Sequence, residues 1–312
     1  MPPVDLTGID VVLSSAGLRE LVDSFNPDVI LVAGWHIRLY RRLLAYYGTS
    51  AVRVITFDTQ WLSTVRQKLG RHFFKLAWRK YFDYAIVPGE RQKQFALRLG
   101  FEPNDVFFGS IPCNSEIFHP DSAPLERENY FFMACRLAPE KGLDVALRAH
   151  EIYSSMVESP WPLLIAGAGS YPMKAQSGVI FAGMLAPEEI GRHMKRARAF
   201  VLASTYEPWG VVIHEATSSG LPVIASDACG AVGSLLLNGV NGFIANTGDA
   251  KSLAVGMLAM STLPEIQWQQ MSCASANLSR RASSETWLRS VQQILRVARI
   301  NRSFDFSGTT AN

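Results

Sequence analysis

"NYFFMACRLAPEKGLDVALRA", residues 129–149, decides the fold. Its first six residues are almost continuously apolar, a short turn carries Pro139 and Gly142, and a helix-like run follows. An apolar strand with no alternation is expected where helices cover both faces of a parallel sheet. The same pattern recurs along the chain. "DVVL" (10–13), "DVILVAG" (28–34), "VRVITF" (52–57) and "YAIVPG" (84–89) read as strands, with helices near 17–25, 36–47, 61–80 and 89–99. Further on, "PLLIAGAG" (162–169), "VIFAG" (179–183), "AFVLAS" (199–204), "LPVIAS" (221–226) and "GFIAN" (242–246) read as strands. Helices are expected near 141–156, 187–197, 211–219, 231–238 and 249–261, and a last one in "SETWLRSVQQILRVARI" (284–300). Alternating β and α elements in this number predict two doubly wound parallel sheets.

The stretch 111–129 has no periodicity and carries three prolines, so the link between the two sheets is placed there. The expected division is an amino-terminal domain over 1–118, a second domain over 119–285, and a terminal helix and tail over 286–312 that return to the first domain.

Composition narrows the function. With 48% hydrophobic and 18% charged residues in 312, the chain is globular, and its longest apolar runs are far shorter than a membrane span. The start "MPPVDLTGID" lacks the pattern of a signal peptide. Cys113, Cys135, Cys229 and Cys273 have no metal-binding spacing and read as reduced thiols in a cytosolic protein. The net charge of +3 is unevenly spread: residues 36–82 hold ten Lys/Arg against a single acid, Asp58. Within "WLSTVRQKLGRHFFKLAWRKYF" (61–82), Lys68, Arg71, Lys75 and Arg79 make a basic stripe among six aromatic residues. A helix of that kind lies on anionic membrane surfaces, or else covers a sheet with its aromatics in the core. No nucleic-acid recognition motif accompanies the charge.

Ligands of doubly wound sheets bind at the carboxyl ends of the strands. After "NYFFMA" come Arg136 and Lys141, cations suited to an anion, with arginine gripping in a fork and lysine acting as a point charge. After "PLLIA" come Gly167 and Gly169, read as a tight turn or as a point of close approach to a ligand. After "AFVLAS" comes "EPWGVVIHEA" (207–216), with Glu207 in the loop, Gly210 before a helix and Glu215 one turn inside it. A carboxylate accepts two hydrogen bonds, the geometry for vicinal hydroxyls of a sugar or ribose. The alternatives are a capping Glu207 and a solvated Glu215. His36 follows the strand 28–34 and is a cleft candidate, whereas His214 points elsewhere; His72, His119, His150 and His193 read as surface or structural. No histidine pair has ligand spacing and no Asp-x-Asp suggests a metal-held diphosphate, so no metal is expected.

R-x4-K, then GxG, then "EPWGVVIHEA" resembles the retaining nucleotide-sugar glycosyltransferases of glycosyltransferase family 4, which have the GT-B fold of two Rossmann-like domains facing a cleft. The likeness runs over about 129–250, and "FDYAIVPGERQKQFALRLGF" and "IFHP" fit less specifically. It implies that Glu207 contacts the donor hexose and Glu215 the nucleoside ribose. Arg136 and Lys141 would neutralise the leaving diphosphate. Backbone amides of Trp209, Gly210 and Val211 would bind the sugar or its phosphate, and the loop after "VIFAG", with Gly183, would pack on the base. The chain departs from the family in two ways. Its first domain reads as abbreviated, and the position after "VRVIT" holds Phe57-Asp58 where the family commonly has a histidine; His36 and Asp58 are the acceptor-side candidates. The resemblance implies transfer of a hexose-type sugar with retention, no cofactor beyond the nucleotide-sugar donor, and a carbohydrate or lipid-linked acceptor. A cytosolic enzyme resting on the inner face of a membrane is the expectation. A donor-binding partner subunit without turnover, and a nucleotide-sugar epimerase, stand as alternatives.

Overall fold

A computed structural model describes residues 15–109, 111–120, 127–171 and 175–307. Its first domain holds α1 (Ser15–Phe25), β1 (Val29–Ala33), α2 (Arg38–Tyr47), β2 (Val52–Thr56), α3 (Val65–Phe73), β3 (Tyr84–Val87), α4 (Glu90–Arg98) and β4 (Val106–Phe108). These strands form one parallel sheet in the order β1-β2-β3-β4. The strand expected at 10–13 lies outside the described residues. One face of the sheet packs an aromatic core in which Phe74, Phe82, Phe95 and Phe101 are buried.

The second domain runs β5 (Glu128–Ala134), α5 (Leu143–Ser154), β6 (Leu163–Ala166), β7 (Val179–Gly183), α6 (Pro187–Arg196), β8 (Ala197–Leu202), α7 (Val211–Ser218), β9 (Val223–Ser226), β10 (Gly242–Ala245), α8 (Ala250–Ser261) and α9 (Glu265–Ser279). All six strands are parallel, in the order β10-β9-β8-β5-β6-β7. The chain builds outward from β5 in one direction and then from β8 in the other, so the order reverses between β5 and β8. Loops leaving two adjacent strands at such a reversal diverge to opposite faces of the sheet and open a crevice. The helix α10 (Ser284–Ser307) then packs on the other face of the first sheet, with Ile294 and Ala298 against Val52, Val54, Tyr84, Ile86 and Phe107. The chain therefore crosses between the domains twice. His214, buried at 3% exposure, ties both crossings to α7: its Nδ1 accepts from the Cys113 amide and its Nε2 faces the Ser279 carbonyl, each at 3.1 Å.

Three local expectations change. No helix forms over 231–238; the segment is a series of turns, because Gly233 adopts φ +85° and Asn241 bonds Leu235 O and Leu237 N instead of letting a helix satisfy them. Its apolar residues are there for burial, since Ala231, Leu235 and Leu236 lie in the core. The helix expected over 61–80 starts at Val65, after Thr64 caps the Gln67 amide at 3.2 Å, and passes through a π turn over Phe74–Trp78. Arg79 leaves the basic stripe. It bonds the Gly100 carbonyl at 3.0 Å and pairs with Asp105 at 3.3 Å. The sequence reading also missed β4 and α9.

Candidate active site

Lys141 comes from the turn after β5 and Glu207 from the loop after β8, so the reversal in strand order brings together residues 66 apart. Their side chains form an ion pair with 18% and 13% of their surface exposed. Lys141 does not open a helix as the sequence suggested. It ends a 3-10 turn over Pro139–Lys141, and Gly142 at φ +64° redirects the chain into α5. The pair lines a cavity of about 260 Å³ together with Cys135, Pro208, Trp209, Gly210 and Val211. Asp58, from the loop after β2, lines it from the first domain. Burial pushes the Cys135 thiol up to about 11, so this cavity wall is a neutral thiol and not a nucleophile.

Gly210 stands at φ +98° and starts α7; the Ile213 amide turns back to the Gly210 carbonyl at 2.9 Å, and the amides before it have no intrahelical acceptor. The N–H groups of Trp209, Gly210 and Val211 donate to no group among the described residues. A cation, a helix amino terminus and a carboxylate thus meet at one cavity, chemistry suited to a phosphate beside a hydroxyl.

The other candidates are placed less centrally. Arg136 is 70% exposed and paired with Glu140 outside the cavity; an exposed pair of this kind is readily exchanged for another anion. Gly167 and Gly169 spend their missing side chains on packing. A Cβ at Gly167 would collide with the Cys135 carbonyl, and one at Gly169 with the Leu137 carbonyl. Gly183 ends β7 with open space before it, and His36 is exposed; neither lines the cavity. Among the described residues no group of three or more His, Cys, Asp or Glu side chains is arranged to hold a metal.

Glu215, one turn into α7, stands apart from the Lys141–Glu207 pair; its main-chain carbonyl accepts from Ser219, but its carboxyl group has no hydrogen-bond or ion-pair partner among the described residues. Burial pushes its carboxyl up from 4.5 to about 7. The folded protein therefore holds this proton more tightly than the unfolded chain, and stability is lost as pH rises from 4.5 to about 7. Glu215→Gln is expected to stabilise the protein by roughly 3 kcal/mol well above that range and by nothing below it. Thermal melts at about pH 8 and about pH 4 read the difference; an equal shift at both would contradict it.

The cavity residues Cys135 and Pro208 were legible through the strand-end rule but were not singled out, since neither carries an obvious charge or hydroxyl. Asp58 was named from the sequence as an acceptor-side candidate, but that it lines the same cavity as Glu207 depends on how the two domains meet.

The profile of a family described as glycosyl transferases group 1 matches residues 114–272. A GDP-mannose-dependent alpha-mannosyltransferase of Corynebacterium glutamicum is 27% identical over 282 residues, 80% of this chain and 62% of the relative. The alpha-monoglucosyldiacylglycerol synthase of Streptococcus pneumoniae is 35% identical over 101 residues, 29% of this chain and 22% of the relative. The chain thus spans less than two thirds of either. Among solved structures, Anabaena Alr3699/HepE in complex with UDP superposes with a TM-score of 0.73 at 18% identity, covering 91% of this chain and 82% of that one. The likeness establishes the fold, two parallel-sheet domains in a GT-B-like arrangement.

Proposed function

The chain belongs to the glycosyl transferases group 1 family, and from that premise we propose that it moves a hexose-type sugar from a nucleoside diphosphate to an acceptor hydroxyl with retention. The observation that carries this reading is the Lys141–Glu207 pair at the strand-order reversal, in a cavity that Asp58 lines from the first domain. Lys141 and the start of α7 offset the charge that grows on the departing diphosphate, and Arg136 joins them by exchanging Glu140 for phosphate. Glu207 accepts from sugar hydroxyls. Glu215 accepts from the ribose hydroxyls, and those donors favour its ionised form. Asp58 stands on the acceptor side.

No cofactor or metal enters the reading, because fixed cations and helix amides supply the positive potential. The test is a panel of UDP-, GDP- and ADP-sugars, scored for thermal shift and for sugar release with and without acceptors. Turnover that survives excess EDTA is expected. Binding without turnover would point to a donor-binding partner subunit, and a changed sugar on an intact nucleotide to an epimerase. Activity abolished by EDTA and restored by magnesium would overturn the metal-free reading.

The acceptor is proposed to be lipid-linked, in polysaccharide or glycolipid synthesis on the inner face of a membrane. Leu62, Val65, Leu69, Phe73 and Leu76 recur at helical spacing and are all exposed, from 49% at Leu62 to 86% at Leu76. Arg66, Lys68, Lys75 and Lys80 are exposed around them. Basic residues flanking an exposed apolar stripe suit an anionic bilayer surface. No helix among the described residues is long and apolar enough to cross a membrane. Wild-type protein is expected to bind phosphatidylglycerol vesicles at low salt and to release at about 1 M, where the Debye length falls to about 3 Å. Leu69→Ser with Leu76→Ser, or Lys68→Glu with Lys75→Glu, should abolish this while sparing donor binding. Indifference of the wild type to such vesicles would leave a soluble acceptor.

A further inference from the structure

Three side chains of the first domain end on main-chain oxygens of the second, directly behind Glu207. Gln60 Nε2 donates to the Glu207 carbonyl at 3.0 Å and to the Ala228 carbonyl at 2.7 Å. Gln92 Nε2 donates to the Pro208 carbonyl at 2.7 Å. Arg91 Nη1 donates to the Asp227 carbonyl at 2.5 Å and lies 3.4 Å from those of Cys229 and the Gln60 side chain. The two glutamine contacts are interior, since Gln60 is 3% exposed and Gln92 fully buried, whereas the Arg91 bond to Asp227 lies at the surface. Gln60 is itself fixed, because its main-chain oxygen accepts from Gln67 Nε2 at 2.9 Å.

The two second-domain loops they grip are joined to each other. The Gly230 amide donates to the Glu207 carbonyl at 2.9 Å and the Ala231 amide to the Trp209 carbonyl at 2.8 Å. Beside them, Trp209 is 2% exposed and packs on Gly89 at the start of α4. A Cβ on Gly89 would stand 2.7 Å from the indole and 2.6 Å from Ser234 Oγ. The loop bearing Glu207 is therefore held from in front by Lys141 and from behind by the other domain.

We propose that Gln60, Arg91 and Gln92 are positioning residues that fix the Glu207 loop only while the two domains are closed, so that turnover is coupled to closure. This rests on the reading of Glu207 as a donor-contacting group. A buried amide donor that loses its carbonyl must be rehydrated or left unpaired, so the loop and the interface separate together. The nucleotide half of the donor, held at Glu215 within the second domain, does not share this dependence.

The test uses the full-length chain with Gln60→Leu, Gln92→Leu and, separately, Gly89→Ala, which keeps every donor but wedges the interface. Three quantities are read: kcat, the Kd of whichever of UDP, GDP or ADP binds the wild type, and hydrogen exchange at the amides of Gly230 and Ala231. Expected are a kcat lower by roughly tenfold or more, a nucleotide Kd within about twofold, and faster exchange at those amides with β5 and β6 unchanged. Unchanged kcat in all three variants, or kcat and nucleotide affinity falling together, overturns the proposal. A wild type that transfers no sugar defeats the functional reading instead. The exchange measurement then decides alone, and protection equal to the wild type in every variant defeats the positioning role.

Discussion

Glu207→Gln is expected to lower kcat by roughly 100-fold or more while leaving the affinity for free nucleoside diphosphate within about threefold. Glutamine keeps the shape and loses the charge, so Lys141 is left as an unpaired cation in a site where both side chains are less than a fifth exposed. A diphosphate entering the cavity can replace the missing carboxylate, which is why ground-state binding survives. What is lost is the anionic charge and one of two acceptor oxygens that hold the sugar while charge moves onto the phosphate. Lys141→Met should behave differently, because Glu207 would then face the diphosphate without compensation and donor affinity would fall together with kcat. Calorimetry with the nucleotide and steady-state kinetics with the sugar donor separate the two outcomes. Full activity in Glu207→Gln removes that residue from the site, and an equal loss of nucleotide affinity contradicts its role.

A large effect on stability is expected at Gly142. This residue adopts φ +64°, and a Cβ there would collide with the Ala203 carbonyl. The close approach joins the turn after β5 to the loop after β8, the two walls of the crevice, so neither side can move aside cheaply. Gly142→Ala is expected to cost roughly 3 kcal/mol or more, strain at positive φ adding to backbone overlap. Gly248→Ala is the comparison, since that glycine has φ +75° with nothing within 4 Å. It should cost only about 1 kcal/mol, the conformational part alone. Urea titrations of both variants measure the gap. Equal midpoints would mean that the Ala203 contact is relieved without cost.

Because parallel strands covered on both faces must be apolar throughout, β1, β2, β3 and β5 to β10 were readable from runs such as 129–134 and 221–226. β4 was not, since three residues followed by a glycine carry too little pattern. The 231–238 segment misled for the opposite reason: apolar residues at near-helical spacing were buried among turns, and periodicity cannot tell the two apart when Gly233 takes a positive φ. In the same way the basic stripe over 68–79 was a property of spacing alone. Arg79 turned inward to Asp105 and the Gly100 carbonyl, which lie distant in sequence.

At the site, the types and order of Arg136, Lys141, Glu207 and Glu215 were visible in the chain because strand ends are where such chemistry must lie. Sequence by itself determined that two parallel sheets would form and that these residues would crowd the end of the second, since hydrophobic period and strand-end position are local properties. Only the tertiary structure decided that Lys141 pairs with Glu207 while Arg136 turns to Glu140, that Gly167 and Gly169 pack against backbone, and that Gln60, Arg91 and Gln92 grip the loop from the other domain. The reason is physical: ion pairs and buried amides are chosen by distance and desolvation after the domains have met, and neither quantity is written in the spacing of residues along one chain.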